Sequence, residues 1–426
     1  MRSFTLLLLM LVITACSSQD DPVSPVTSPP NILLIIADDL GKDALNGYSE
    51  GTLKANTPHL DALRNNGLNF TNFWTNPSCS PTRAAIITGK YGYRTGVKWA
   101  GDELQSSETI LHQEIKNRTN DAYATAIVGK WHLSGGGARI NPEEFGMDYY
   151  AGLATGSVSS YTDWRLTEDG NFTNQSSYIT EAFTDMAIDW IGNQDVPWFL
   201  WLAYNAPHTP FHAPPANMHS QGALPAYTNA ADPMSYYLAA IEAMDFQIGR
   251  LLDSISEEEK DNTVIIFIGD NGAPNQVAQS PYSRSTVKGT LYQGGINTPL
   301  FVSGKGVSRL GTDNNLITNV DLFSTILSIT TENEMDMHDG KSFQSLLTGS
   351  ETHQDYAYTE FDDGTTDQWV IRDNQYKLFT QINGSQEFYD LLADPYESNN
   401  LLLGNLSEAQ TVAKTNLESQ LSRIRN

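Results

Sequence analysis

Cysteine is nearly absent from this chain: its 426 residues hold two, Cys16 and Cys79. So few exclude a disulfide-stapled scaffold. Basic residues are also scarce, 25 Lys and Arg against 50 Asp and Glu, for a net charge of −25. A nucleic-acid partner is thereby excluded, because phosphates need a basic face. The same acidity suits a protein that must stay soluble, as in a salty medium where screening softens self-repulsion. No internal repeat is visible, and 40% of the residues are hydrophobic. The length then allows one large domain with a smaller one beside it.

The start of the chain accounts for one of the cysteines. Residues 4–15 form an apolar run behind Arg2, too short to span a bilayer as a permanent helix. The small residues of "ITAC" ahead of Cys16 resemble a bacterial lipobox, with residues 1–16 as a lipoprotein signal segment whose cleavage leaves Cys16 lipidated at the new N-terminus. An ordinary secretory signal cut nearby is the alternative. Either reading predicts an exported protein. The lipobox makes it a bacterial lipoprotein at the outer membrane, on the cell surface or facing the periplasm, touching membrane through its N-terminal lipid only. Residues 17–30, "SSQDDPVSPVTSPP", read as a tether too polar to fold. Cys79 is left without an intramolecular disulfide partner.

Four short apolar runs end abruptly in polar residues. "NILLIIADD" delivers Asp38 and Asp39, and "YATAIVGKWH" delivers Lys130 and His132. "PWFLWLAYNAPH" delivers His208, and "TVIIFIGDN" delivers Asp270 and Asn271. Uninterrupted apolar runs mark strands buried on both faces of a mainly parallel sheet flanked by helices. Ligands gather beyond the carboxyl ends of such strands. Between them, Thr57 and Pro58 start a helix that Gly67 is expected to stop. A longer amphipathic helix is predicted over 233–255. After about Leu347 the pattern alternates as in antiparallel strands, and a polar helix over 407–423 closes the chain. The predicted fold is α/β: a large, mainly parallel mixed sheet over 31–345, with a smaller α+β domain over 346–426 containing an antiparallel sheet.

The remaining cysteine lies in "NPSCSPTRAAIITGKYGYRTG". Ser80 is a good N-cap, Pro81 fits the first helical position and Gly89 can end the helix. Cys79 is thus expected just ahead of a helix N-terminus, where free N–H groups and the dipole favour negative charge. Arg83 can turn back toward it. A thiol, an anion-favouring helix end and a guanidinium in one turn describe a site for an oxyanion ester. A buried structural cysteine is the competing reading. Arg83, Lys90, Arg94 and Lys98 crowd together here; in so acidic a chain they are expected to attract an anion, the alternative being that some of them merely face solvent.

C-x-P-x-R in this setting resembles the signature of the formylglycine-dependent type I sulfatases of the alkaline phosphatase superfamily. The likeness extends from about Asn31 to Leu402. "TPHLDALRNNGLNFTNFW" precedes the signature; "GKWHL", "NAPHTPF", "GDNGAP", "KGTLYQGGINTP", "NVDLFSTIL", "DGKSFQSLL" and "YDLLADPYESNNLL" follow in family order. The resemblance implies that a maturation enzyme oxidises Cys79 to formylglycine, whose hydrate is the nucleophile. It makes Asp38, Asp39, Asp270 and Asn271, with modified Cys79, the metal ligands. Three carboxylates and an amide oxygen also suit hard Ca²⁺, with Mg²⁺ second. Arg83, Lys130, His132, His208 and Lys288 map onto sulfate-holding and proton-transfer positions. His208, with Lys288, would protonate the departing alcohol, and His132 would act as base on the second hydroxyl of the hydrate.

Two departures from the family pattern stand out. The stretch usually written E-G-G-x-R-x-P reads "QGGINTP", with Gln293 and Asn297 in place of the acid and the arginine. No serine clearly matches the auxiliary sulfate-binding serine; Ser157, Ser159 and Ser160 are nearby candidates. The expected substrate is a sulfated polysaccharide or oligosaccharide, or another sulfate ester, and the acidity favours exo-action on chain ends. The loop "SYTDWR" over 160–165 either lines sugar subsites or packs as an ordinary loop. The competing functions are phosphonate or phosphate ester hydrolysis within the same superfamily and a non-catalytic, glycan-binding lipoprotein.

Overall fold

The computed structural model describes residues 28–135 and 142–425. The leader, Cys16 and residues 17–27 of the expected tether lie outside the described residues. Ten strands form one sheet: β1 (Asn31–Asp38), β2 (Gly67–Trp74), β3 (Ala124–Lys130), β4 (Tyr149–Leu153), β5 (Trp164–Glu168), β6 (Asn171–Gln175), β7 (Trp198–Pro207), β8 (Thr263–Gly269), β9 (Leu300–Gly304) and β10 (Gly311–Thr318). Their order is β10-β2-β9-β8-β1-β7-β3-β4-β5-β6. The central five, β8-β1-β7-β3-β4, are mutually parallel, with Ile35 of β1 opposite both Leu202 and Phe267. β9 runs antiparallel to both its neighbours, and so does β5.

Every residue of β1, β7 and β8 is buried, as their continuous apolar runs require. Alternation along the strand still divides them between two cores. Ile32, Leu34 and Ile36 join the helices Cys79–Thr88, Leu111–Thr119 and Asp321–Thr331 on one face. Leu33, Ile35 and Ala37 meet Pro58–Asn65, Ile179–Ile191 and Pro233–Ser254 on the other. The helix Pro58–Asn65 stops on Asn66, so Gly67 opens β2 instead of capping a helix.

The second sheet is a four-stranded antiparallel meander: β11 (Ala357–Asp362), β12 (Asp367–Arg372), β13 (Tyr376–Gln381) and β14 (Gln386–Asp390). The closing helix Glu408–Arg425 buries Leu417 and Leu421 against Ile371, Leu378 and Phe388 of this sheet. β11 also reaches the larger sheet. Thr359 donates to the Thr75 carbonyl at 3.1 Å, and Asn76 donates to the Glu360 carbonyl at 3.2 Å. The small sheet therefore clasps the segment that leads into Cys79.

One core residue makes the fold acid-sensitive. His112 is fully buried against Phe199, with ring centroids 4.6 Å apart, and burial pushes its pKa down to about 3. An unfolded histidine takes its proton near pH ~6.5, so between there and pH 3 the unfolded chain binds more protons. Stability therefore falls with falling pH through this window, by about 1.4 kcal/mol per unit. His112→Leu should remove about 2–3 kcal/mol of the stability lost between pH 7 and 4.5, read from denaturant midpoints. Parallel pH dependences in the two proteins would refute this assignment.

Candidate active site

Because β8, β1, β7 and β3 are parallel neighbours, their carboxyl ends open on one edge of the sheet. That edge collects Asp38 and Asp39, Asp270 and Asn271, His208, and Lys130 and His132. The helix carrying position 79 approaches the same edge. It begins at Cys79 itself, with Ser78 as N-cap, two residues earlier than Ser80 capping predicts. Ser80 is engaged elsewhere, since its hydroxyl donates to the His132 carbonyl at 2.8 Å and accepts from Gly101 N at 3.0 Å. Gly89 ends the helix in the left-handed region, as expected.

Three carboxylates and three cations interlock here. Lys130 Nζ lies 2.5 Å from Asp38 Oδ2. Arg83 Nη2 lies 2.8 Å from Asp270 Oδ2 and 3.9 Å from Asp38 Oδ1, while Nη1 donates to the Lys130 carbonyl at 2.7 Å. Asp270 Oδ1 accepts from the Asp39 backbone N–H at 3.0 Å. Asp39 Oδ1 takes both Lys288 and, at 2.8 Å, Asn271 Nδ2. His208 Nε2 stands 3.7 Å from Asp39 Oδ2, and Cys79 Sγ lies 3.0 Å from His132 Nδ1. The structure thus brings together Asp38, Asp39, Cys79, Arg83, Lys130, His132, His208, Asp270, Asn271 and Lys288.

The electrostatics follow from this contact order. Burial opposes ionisation of Asp38, but Lys130, helped by His208 and Arg83, outweighs it and holds the carboxyl well below the usual range. Asp270 is pushed up to about 6, by burial and then by the Asp38 charge beside it, as expected when like charges share a site. Burial, followed by Lys130 and Arg83, pushes His132 down to about 2. Burial lowers His208 against the pull of Asp39, and the His132 ring is neutral near pH 7. Burial works against the Lys288 ammonium too, yet Asp39 reverses the sign and raises it. The buried Cys79 thiol is shifted upward by burial despite Lys130 and Lys288.

The donor set fits a hard cation. Asp38 Oδ1 and Asn271 Oδ1 are buried acceptor oxygens with no hydrogen-bond partner. Such atoms are costly unless a donor or a cation satisfies them. Asp38, Asp39 and His208 also offer ligand atoms within 4.8 Å of one another. Together with Asp270 and Asn271, the two adjacent aspartates could offer the oxygen donors that Ca²⁺ or Mg²⁺ takes.

Several supporting residues escape sequence reasoning. Asp39 and His132 both have left-handed backbones, with φ of 69° and 57°, a conformation that costs on the order of 1 kcal/mol in a non-glycine residue. Each is held by its carbonyl: Tyr237 donates to that of Asp39 at 2.8 Å, and Ser80 to that of His132. Gly156 lies against the His132 ring, where an added β-carbon would fall 2.0 Å from Nε2. The two family departures are answered by other side chains. Buried Lys42 donates to Asn297 Oδ1 at 2.6 Å and to the Thr71 carbonyl at 2.7 Å. Glu397, paired with Lys377, accepts from Gln293 N at 2.6 Å.

Other expectations are corrected. Of the basic cluster, Arg83 alone enters the site. Lys90 pairs with Glu108 at 2.6 Å, Arg94 with Asp339 at 2.9 Å, and Lys98 with Asp362. In a chain this acidic, outlying cations find carboxylates first. Tyr161 and Trp164 of the "SYTDWR" loop are buried, so these aromatics pack and do not line a subsite. Ser157 and Ser159 line a small cavity beside Trp164 and Arg165, while Ser160 bonds Thr162 at 3.3 Å.

A mainly parallel, helix-covered sheet with this acid-and-cation cluster along its carboxyl edge defines a member of the alkaline phosphatase superfamily. The Sulfatase family model matches residues 30–332, and the model of the N-sulphoglucosamine sulphohydrolase C-terminal region matches 286–426. The chain belongs to the sulfatase family. It is 29% identical over 358 residues to the uncharacterized sulfatase YdeN of Escherichia coli (strain K12), covering 70% of this chain and 62% of that one. This chain therefore spans less than two thirds of that relative. It is 28% identical over 430 residues to the ulvan-active sulfatase of Formosa agariphila, covering 94% of this chain and 81% of that one. The crystal structure of Ps i-CgsB in complex with k-i-k-neocarrahexaose shares the fold, with a TM-score of 0.79 at 23% identity over 93% of this chain and 92% of that one.

Proposed function

We propose that this protein hydrolyses sulfate esters on a sulfated oligosaccharide, using a formylglycine made from Cys79. One observation carries the reading. The only free cysteine among the described residues is buried at the head of a helix, 3.0 Å from His132 Nδ1 and one turn from the Arg83–Asp270 pair. A thiol kept merely for packing needs none of that company. The relatives that act on ulvan or were solved with a carrahexaose support a carbohydrate substrate. The net charge of −25 disfavours wrapping a long polysulfated chain, which points to action at chain ends.

Each side chain then has its role. Asp38, Asp39, Asp270 and Asn271 would hold Ca²⁺, which when bound supplies positive charge beside the sulfate oxygens. Formylglycine, as its hydrate, supplies one hydroxyl to attack sulfur and a second whose deprotonation allows sulfate to leave. Arg83 fixes Asp270 and balances Asp38, while Lys130 and partly exposed Lys288 offer ammonium groups to the sulfate oxygens. Neutral His132, beside position 79, accepts the proton released there. His208 donates its Nδ1–H to the Thr209 carbonyl at 2.6 Å, so Nε2 delivers a proton to the departing alcohol from the imidazolium form, which Asp39 Oδ2 at 3.7 Å favours, and the ring is left neutral.

Gly156→Ala should push the His132 ring off position 79 and lower kcat by roughly 10- to 100-fold, with the thermal midpoint unchanged. A kcat close to that of the unaltered protein would remove His132 from the scheme. The reaction class is tested by initial rates on an aryl sulfate, an aryl phosphate, a phosphonate monoester and a panel of sulfated oligosaccharides. Sulfate release should dominate. A phosphonate or phosphate hydrolysed fastest would favour the rival hydrolase, and no turnover of any ester would favour a glycan-binding protein.

A further inference from the structure

His208 lies in an irregular stretch beyond the end of β7, where the sheet no longer supplies partners. Side chains supply them instead. The Tyr161 hydroxyl is 2.6 Å from the His208 carbonyl and 2.8 Å from that of Asn205, placing its single proton between them. The Asn205 carbonyl also accepts from His208 N at 2.9 Å. The Tyr161 ring stacks on the His212 imidazole, with centroids 3.7 Å apart and planes 20° from parallel. His212 Nδ1 is 3.1 Å from the Pro210 carbonyl, which can only accept, so Nδ1 carries the proton. Its Nε2 therefore accepts from the Tyr178 hydroxyl at 3.1 Å. Tyr161 and Tyr178 are buried and His212 is half-buried.

The carbonyls of Asn205, His208, Thr209 and Pro210 are thus each tied, three of them through Tyr161 or His212. With the Thr209 carbonyl fixing Nδ1, His208 keeps little freedom except that of its Nε2 atom. We infer that Tyr161, braced by His212 and Tyr178, is a positioning residue that aims His208 Nε2 at the leaving oxygen. This rests on the reading of His208 as proton donor. The Tyr161 hydroxyl bonds main-chain carbonyls and not the acid cluster, so it acts through the His208 main chain.

A proton donor matters most when the departing alcohol is a poor leaving group. Two substrates therefore separate aim from general stability: a sulfated monosaccharide, whose alcohol leaves badly, and 4-nitrophenyl sulfate, whose phenolate leaves unaided. Tyr161→Phe keeps the ring stack and removes the hydroxyl. It should lower kcat on the sugar sulfate by roughly 10- to 100-fold and on the aryl sulfate by no more than ~3-fold. Equal losses on both substrates, or no loss on either, overturn the inference when His208→Ala is itself selective for the sugar sulfate. A non-selective loss in His208→Ala instead overturns the donor assignment. Should Tyr161→Phe fail to fold, Tyr178→Phe, which frees His212 Nε2, must show the same selectivity at smaller amplitude, and a non-selective effect there counts against the inference.

Discussion

Cys79→Ser is expected to fold, bind substrate and stall after one attack. Serine is smaller than cysteine at this buried position and can keep the contact with His132. Its hydroxyl can attack sulfur, but no second hydroxyl on the same carbon is there to expel the product. Steady-state turnover should fall by at least roughly a thousandfold, with an unchanged thermal midpoint. Mass spectrometry after incubation with substrate should find sulfate retained on the peptide containing residue 79. Undiminished multiple turnover by this variant would show that the nucleophile lies elsewhere.

Arg83→Met carries the largest expected cost in stability. The guanidinium is wholly buried, and it balances Asp270 at 2.8 Å while holding the Lys130 carbonyl at 2.7 Å. Methionine retains most of the volume and none of the charge. Asp270 then remains beside Asp38 in low dielectric without its principal counter-ion. Removing one partner of a buried ion pair costs about 3–5 kcal/mol, and the denaturant midpoint should drop accordingly. Pairing the change with Asp270→Asn should recover part of that loss, because the stranded charge goes with it. An Arg83→Met protein as stable as the parent would mean that the cluster is far better solvated than its burial implies.

The parts of the site that were legible in sequence are those written as local pattern. An apolar run that stops at an acid, a lysine or a histidine marks a buried strand and the residue at its carboxyl end, and four such runs located Asp38, Lys130, His208 and Asp270. The helix after Cys79 was legible as well, but its start was misplaced. "SCSP" offers two serines as caps, and proline is tolerated anywhere in the first turn, where N–H groups need no intrahelical partner. Local rules could not show that Ser80 would be needed on the His132 carbonyl. Contacts between distant segments were illegible for the same reason. Nothing near Gly156 announces that a histidine ring will lie on it, and nothing near Asn297 announces Lys42. The basic cluster misled because carboxylates remote in sequence, such as Asp339 and Asp362, neutralise it in space.

The most direct test of the account is the mass of the peptide carrying residue 79 in active protein, measured alongside sulfate release from the same sample. An aldehyde in place of the thiol, with activity rising in proportion to the converted fraction, is the expected result. Full activity from protein in which Cys79 remains entirely a thiol would contradict it.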